Sequence, residues 1–395
     1  MTSSLSWGTI TLKDKFNITI TGAGITGLTC AALLSKGRHA SKFKIKIIDA
    51  NPRPIFSLKN DISLRVSAIS NGSIDILNMI GAWPSIKNTR VSPFTGMRVW
   101  DENFESESKS SLYFDAAEFA IPYLGYIIEN NLIKDALLKT LEDTNVEIYF
   151  DTKVREMPKG DLIIGSDGPN SCIREFAGIK KNLWPYNQTA FVTNVNVEYD
   201  HNKVALQRFL EDGPIGILPL SSGQVSIVWS TTPEKASSFM KLSDDQISEK
   251  ITHASDGILG KMSLSGLKGS FPLFAQHAER YVKSGIALIG DAAHAIHPLA
   301  GQGANLGFQD ALELTSVLNT AIDNGLYPGD YLVLRRFERA RKGPNLTMLH
   351  FMTGLNKLFI NDSDLIKFIR KTGMQIFNNS GPIREYAVKV ALGVK

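Results

Sequence analysis

A short strand that ends on a lone carboxylate and runs into a glycine-rich loop constrains this chain more than any other stretch. Gly285-Ile-Ala-Leu-Ile-Gly290 is an apolar run of strand length, and Asp291 stands at its end. The chain then reads Ala292-Ala-His294-Ala-Ile-His297-Pro298-Leu-Ala-Gly301-Gln302-Gly303-Ala304-Asn305. Beyond it Leu306, Leu314, Val317, Leu318, Ala321 and Ile322 recur at helical spacing, and Gly325 supplies a stop. Glycines let backbone come close to a ligand. A helix N-terminus offers unpaired N–H groups that favour a negative charge. The stretch therefore predicts a cofactor-binding turn.

A second such turn lies near the start. Phe16-Asn-Ile-Thr-Ile-Thr21 is β-prone, Gly22-Ala-Gly24-Ile-Thr-Gly27 follows, and Leu28 to Ser35 suits a helix. The next apolar run, Phe43 to Ile48, ends in Asp49. Strand, glycine turn, helix, strand and terminal acid form the dinucleotide fingerprint. Gly22 permits the turn, Gly24 admits a pyrophosphate, Gly27 lets helix pack on strand, and Asp49 takes a ribose hydroxyl. The acid falls slightly later than the usual spacing of about 20 residues, which a longer loop through Gly37 to Ser41 accounts for. This pattern does not separate FAD from NAD.

The string from His297 to Ala311, His-Pro-Leu-Ala-Gly-Gln-Gly-Ala-Asn-Leu-Gly-Phe-Gln-Asp-Ala, resembles the second flavin-binding motif of the class A flavoprotein monooxygenases, in the wording of the ubiquinone-biosynthesis hydroxylase branch. Arg65-Val-Ser-Ala-Ile-Ser70, followed by Leu77, Gly81 and Trp83, resembles the family's segment beside the flavin. Ser166-Asp167-Gly168-Pro-Asn-Ser171, with Arg174, resembles its Asp-Gly motif, shared between FAD and the pyridine nucleotide. The resemblance spans about Phe16 to Gly393.

It implies that Asp291 binds the ribityl chain, with Gly290 beside it in the cofactor set, and that Pro298, Gly301, Gln302 and Gly303 lie against the isoalloxazine. Ala304 and Asn305, which open the following helix, join the cofactor set. Arg65 is expected to contact the cofactor, Asn130 to lie near its phosphates or ribose, and Asp167 both to serve it and to brace its own turn. No catalytic base and no metal site is readable; His294 and His297 read as loop-shaping residues.

The implied fold is α/β (α+β overall) and PHBH-like. A discontinuous Rossmann-type FAD lobe is expected over 16–90, 124–180 and 278–330, and a β-rich substrate lobe over 91–123 and 181–277. C-terminal helices are expected over 331–395. Phe191, Thr193, Val195 and Val197 alternate with more polar positions, predicting a half-buried strand, and Phe239 to Ile251 reads as a polar helical cover. The implied chemistry is hydroxylation of a polyprenylated phenol, with NAD(P)H reducing FAD and O2 adding to it as a hydroperoxide. A flavin hydroxylase of another phenol, or an assembly protein that keeps FAD without turnover, remains open on sequence grounds.

Composition narrows the partners. A net charge of +4 with no arginine-rich cluster gives no nucleic-acid footprint. Cys30 and Cys172 have no metal or disulfide spacing. The first fifteen residues do not read as a secretory signal, and no apolar run reaches the roughly 18 residues a membrane span needs. The expected setting is cytoplasmic and peripheral on the inner membrane, on the matrix side in a eukaryote, beside other ubiquinone-biosynthesis proteins. The predicted membrane contact is Leu365 to Phe377, with Ile366, Ile369 and Phe377 facing lipid or a partner and Lys367, Arg370 and Lys371 facing anionic groups.

Overall fold

The first strand, β1 (Phe16–Thr21), is buried on both faces at Ile18, Thr19, Ile20 and Thr21, the mark of a parallel strand covered by helices. A computed structural model gives the architecture and describes residues 14–108, 110–297, 301–360, 363–382, 384–385 and 388–389. Pro298 lies outside the described residues, as do the side chains of Ile366 and Ile369.

From β1 the chain enters α1 (Ile25–Lys36) and returns as β2 (Phe43–Ile48), parallel to β1. Then come β3 (Val66–Ser70), α2 (Asn71–Met79), α3 (Trp83–Lys87) and β4 (Val91–Phe94). A hairpin excursion, β5 (Gly96–Asp101) and β6 (Leu112–Asp115), precedes β7 (Gly125–Glu129), α4 (Asn130–Glu142), β8 (Glu147–Tyr149), β9 (Leu162–Gly165) and α5 (Cys172–Phe176). Strands β3, β7 and β4 make a small antiparallel sheet of their own.

The next stretch is mostly antiparallel: β10 (Lys181–Val197), β11 (Val204–Leu210), β12 (Gly213–Pro219) and β13 (Val225–Thr231). Two helices, α6 (Pro233–Lys241) and α7 (Asp244–Ala254), lead into β14 (Met262–Ala278). The chain then returns through β15 (Val282–Lys283) and β16 (Ile286–Leu288), touches the large sheet at β17 (His294–Ala295), and finishes in α8 (Gln302–Asp323), α9 (Tyr331–Ile360) and α10 (Asp364–Asn378).

The first sheet has the order β15-β16-β9-β1-β2-β8, and the large sheet runs β17-β14-β10-β13-β12-β11-β5-β6. The carboxyl ends of β1, β9 and β16 are neighbours, so the three turns singled out in the sequence meet at one edge. Ligands bind at that edge in open α/β sheets.

Two expectations need correction. Strand β10 is not half-buried in its middle, since residues 190–195 are buried on both faces. Phe191 and Val195 pack with Phe239, Ile247 and Ile251 in the core beneath α6 and α7. The opposite face meets the loop before β3, where Asn194 Nδ2 donates to the Ile62 carbonyl at 2.8 Å and Val192 lies with Leu64 around Gly269. The helical cover is likewise two helices. Ser243 breaks it by capping α7: its hydroxyl accepts from Gln246 N–H, and the Gln246 amide oxygen accepts from Ser243 N–H.

Candidate cofactor site

In the turn between β1 and α1 the three glycines serve different needs. A Cβ on Gly22 (φ +95°) would stand 2.3 Å from the Ser166 carbonyl oxygen. One on Gly27 would stand 2.1 Å from the Gly22 oxygen and 2.5 Å from Ser166 Oγ. Neither position tolerates a side chain. A Cβ on Gly24 would meet nothing within 4 Å, so only this glycine faces open space. The Asp49 carboxylate holds the turn from β2, accepting from Ala23 N–H at 2.5 Å on one oxygen and from Asn51 N–H at 2.7 Å on the other. Asn51 Nδ2 also donates to that second oxygen, at 2.9 Å.

At the end of β9, Asp167 Oδ2 accepts from Cys172 N–H at 2.8 Å and so braces α5, as its sequence position suggests. Asp167 Oδ1 is buried and has no hydrogen-bond partner among the described residues. Gly168 (φ +82°) beside it has open space where a Cβ would be. Arg174, also buried, ties this turn to the last one by donating to the Pro169 and Ala292 carbonyls, both at 2.9 Å. Gln276 of β14 does the same, donating to Pro169 O at 3.0 Å and Asp291 O at 2.7 Å.

In the third turn Gly290 takes a left-handed φ of +58°, and Thr26 of α1 fills the space beside it. Asp291 is exposed, and its carboxylate makes no hydrogen bond among the described residues. The surrounding protein raises its pKa by desolvation, opposed by the charges of His294 and Arg65 and reinforced by Asp310. Gly301 (φ +63°) caps α8 against Ala68, and Gly303 in the first turn faces open space. Gln302 is buried, and Ala304 packs against the core of the first lobe. The Asn305 side chain is committed to the scaffold: Oδ1 accepts from Ser70 N–H and Ser73 Oγ, and Nδ2 donates to Ala68 O. Asn130, at the start of α4, likewise accepts from Ser67 Oγ at 2.7 Å.

Arg65 is exposed, and its charge acts on both Asp291 and Lys134. Lys134, half-buried on α4, is a further cation that sequence reading did not single out. It stands one helical turn beyond Asn130, and that i, i+4 relation was the available signal. Burial lowers its pKa first, and the Arg65 charge lowers it further.

His297 is fully buried; its Nε2 donates to Gln188 Oε1 at 3.2 Å and its ring meets Tyr186 edge-on. Burial pushes its pKa down to about 4, so the ring is neutral near pH 7.

Open space over Gly24, Gly168 and Gly303, an Asp167 oxygen unpartnered among the described residues, and the cations Arg65 and Lys134 together fit a long, polar, phosphate-bearing cofactor. Comparison with known proteins gives the same class. A family described as "FAD binding domain" matches residues 159–325, and one described as "NAD(P)-binding Rossmann-like domain" matches 20–61. Among solved structures, p-nitrophenol 4-monooxygenase from Pseudomonas putida superposes with a TM-score of 0.75 at 17% identity, covering 96% of this chain and 98% of that one. HpxO of Klebsiella pneumoniae, solved with FAD and uric acid, gives 0.72 at 15% identity, covering 98% of each. The fold is that of the PHBH-like FAD-dependent monooxygenases, and FAD is the cofactor.

Sequence kinship is closer. The chain is 33% identical to 3-demethoxyubiquinol 3-hydroxylase of Escherichia coli, covering 95% of this chain and 98% of that protein. It is 32% identical to the human mitochondrial ubiquinone biosynthesis monooxygenase COQ6, covering 98% and 94%. The chain belongs to the ubiquinone-biosynthesis hydroxylase family of flavin monooxygenases.

Proposed function

We propose that the protein hydroxylates the aromatic ring of a polyprenylated phenol on the route to ubiquinone, using FAD, NAD(P)H and O2. Beyond kinship, the observation that carries this reading is a cleft of about 780 Å³ between the loop before β3 and strands β10 and β14. Ile62, Leu64, Val192, Leu267 and Phe271 border it, and it reaches Arg65. That volume suits a small aromatic ligand.

In this reading the open face of Gly24 passes the pyrophosphate, Asp49 takes the adenosine ribose and Asp291 the ribityl hydroxyls. Arg65 and Lys134 offset the phosphate charge, and Gly301 to Gly303 face the ring system. When bound, FAD supplies the redox chemistry, accepting reducing equivalents from NAD(P)H and activating O2 for transfer to an electron-rich ring. The chain's task is to orient that ring and exclude water. The neutral His297, shielded by Tyr186 and tied to Gln188, keeps the end of the loop free of charge.

Purified protein supplied with FAD, NAD(P)H and a short-chain prenyl phenol should consume O2 and yield a product heavier by one oxygen atom. Asp291→Ala should lower flavin content and product in parallel. Reoxidation that releases only hydrogen peroxide with every prenyl phenol tried would favour the assembly-protein alternative.

A polyprenyl phenol resides in lipid, and no helix among the described residues is long and apolar enough to cross a membrane. Peripheral contact through α10 follows in this reading, with Lys371 as expected but other residues changed. Arg370 is buried and paired with Asp101, and Phe377 packs edge-on against Phe114, so neither faces outward. Phe368 (65% exposed) and Ile376 (64%) do, together with Lys371. Phe368→Ser with Ile376→Ser should weaken binding to anionic vesicles and slow turnover of a long-chain phenol only. Equal loss on a soluble short-chain phenol would remove α10 from the membrane contact.

A further inference from the structure

Beneath the loop that carries Asp291 lies a second carboxylate, Asp310 of α8, with no solvent exposure. Four donors converge on it. Its Oδ2 accepts from Gly290 N–H at 3.0 Å and His294 Nε2 at 2.5 Å. Its Oδ1 accepts from Arg341 Nε at 2.7 Å and Asn345 Nδ2 at 3.0 Å, both on α9. Arg341 also donates to Asn345 Oδ1 at 2.8 Å, which fixes the two α9 donors relative to each other.

A buried carboxylate is expensive unless fully paired, and an apolar side chain could fill the same space at less desolvation cost. What an apolar side chain could not do is grip Gly290 N–H and His294 on one oxygen. These two contacts bracket Asp291. Gly290 sits in the left-handed region, so the direction in which Asp291 leaves the strand depends on that turn being held. The same helix α9 reaches the far end of the loop, where Asn356 Nδ2 donates at 3.0 Å to the Gln188 oxygen that also receives His297. Helix α9 thus reaches both ends of the segment from Gly290 to His297 through buried polar contacts.

We propose that Asp310 is a positioning residue for the flavin: it clamps the turn from Gly290 to His294 so that Asp291 faces the cleft, and Arg341 and Asn345 orient the clamp. Asp310 itself does not touch the cofactor. The proposal rests on the assignment of Asp291 to the ribityl end of FAD and of the Gly22 to Gly27 turn to its adenosine half.

That division supplies the test. Asp310→Asn replaces one accepting oxygen with a donor and leaves a donor of the clamp unpaired. FAD affinity, followed by quenching of flavin fluorescence, should weaken at least ~10-fold, about the loss of one charge-assisted hydrogen bond. ADP, which reports the adenosine half alone, should bind the variant as it binds the parent. Arg341→Lys keeps the charge but loses the planar fork. It should weaken FAD less, again sparing ADP, and it covers the case in which Asp310→Asn does not fold. FAD and ADP weakening together would make Asp310 a general stabiliser and overturn the proposal. So would unchanged FAD affinity in a folded Asp310→Asn, or in Arg341→Lys if the first variant does not fold. A parent protein that binds no FAD would overturn the cofactor assignment, and this inference with it.

Discussion

Gly24→Val is expected to give a protein that folds and binds almost no FAD. Gly24 has an extended backbone (φ −75°, ψ 177°), which any residue adopts, and a Cβ there meets nothing within 4 Å. The cost to the scaffold is therefore only a poorer helix N-cap, on the order of 1 kcal/mol. The valine methyls, however, occupy the approach that the pyrophosphate needs. Affinity should fall by ~100-fold or more, about 2.7 kcal/mol. Gly27→Val should behave in the opposite way, because its Cβ is driven into the Gly22 carbonyl at 2.1 Å and no flexible side chain can move aside. That variant should fail to fold. Flavin absorbance against protein, with apo-protein melting, distinguishes the two, and a flavin-replete Gly24→Val would remove the phosphates from this turn.

Arg370→Ala should cost stability on a larger scale. Arg370 is 4% exposed and Asp101 1%, and Nη1 lies 3.2 Å from the carboxylate. The same nitrogen donates to the Phe359 carbonyl at 2.5 Å, and the guanidinium lies over the Phe359 ring. Removing the cation leaves the Asp101 carboxylate buried with, among the described residues, only its Asn103 contacts. Breaking a buried pair from one side costs about 3–5 kcal/mol. Urea unfolding should show that loss, and pairing Arg370→Met with Asp101→Leu should recover much of it. A midpoint unchanged in Arg370→Ala would mean that α10 does not depend on this pair.

The contrast between Lys367, Arg370 and Lys371 shows what sequence can and cannot carry. All three stand in a helix with apolar neighbours and read as one basic face. Which of them is buried depends on Asp101, at the end of a strand far earlier in the chain. The β1–α1–β2 unit was legible because its signals are local: period, glycine spacing and a terminal acid. The third turn was legible through Gly290, Asp291 and the helix after them. Asp310 sits in that same string, yet its role was hidden because two of its four donors come from α9. Lys134 escapes notice for a related reason, since the Arg65 and Asp49 charges that act on it stand far earlier in the chain. The buried middle of β10 was misjudged because the loop at Ile62 and Leu64 covers a face that period-two reading left to solvent.

The strand order of the first sheet also sets a timetable for making the protein. β1 pairs with β2 at once, but its other neighbour, β9, must wait for residues 162–165, and β16 for 286–288. The Asp291 turn and the helix that carries Asp310 end only at Asp323. At ~5–20 residues per second, roughly 15–60 s of synthesis pass before the sheet and its last turn can close. During that interval the growing chain exposes an open parallel edge and an apolar face, the features that make partly made proteins stick to one another. The flavin can be captured only after Asp323 has been made, so the yield of active protein from an expressing cell should follow chaperone capacity and riboflavin supply together.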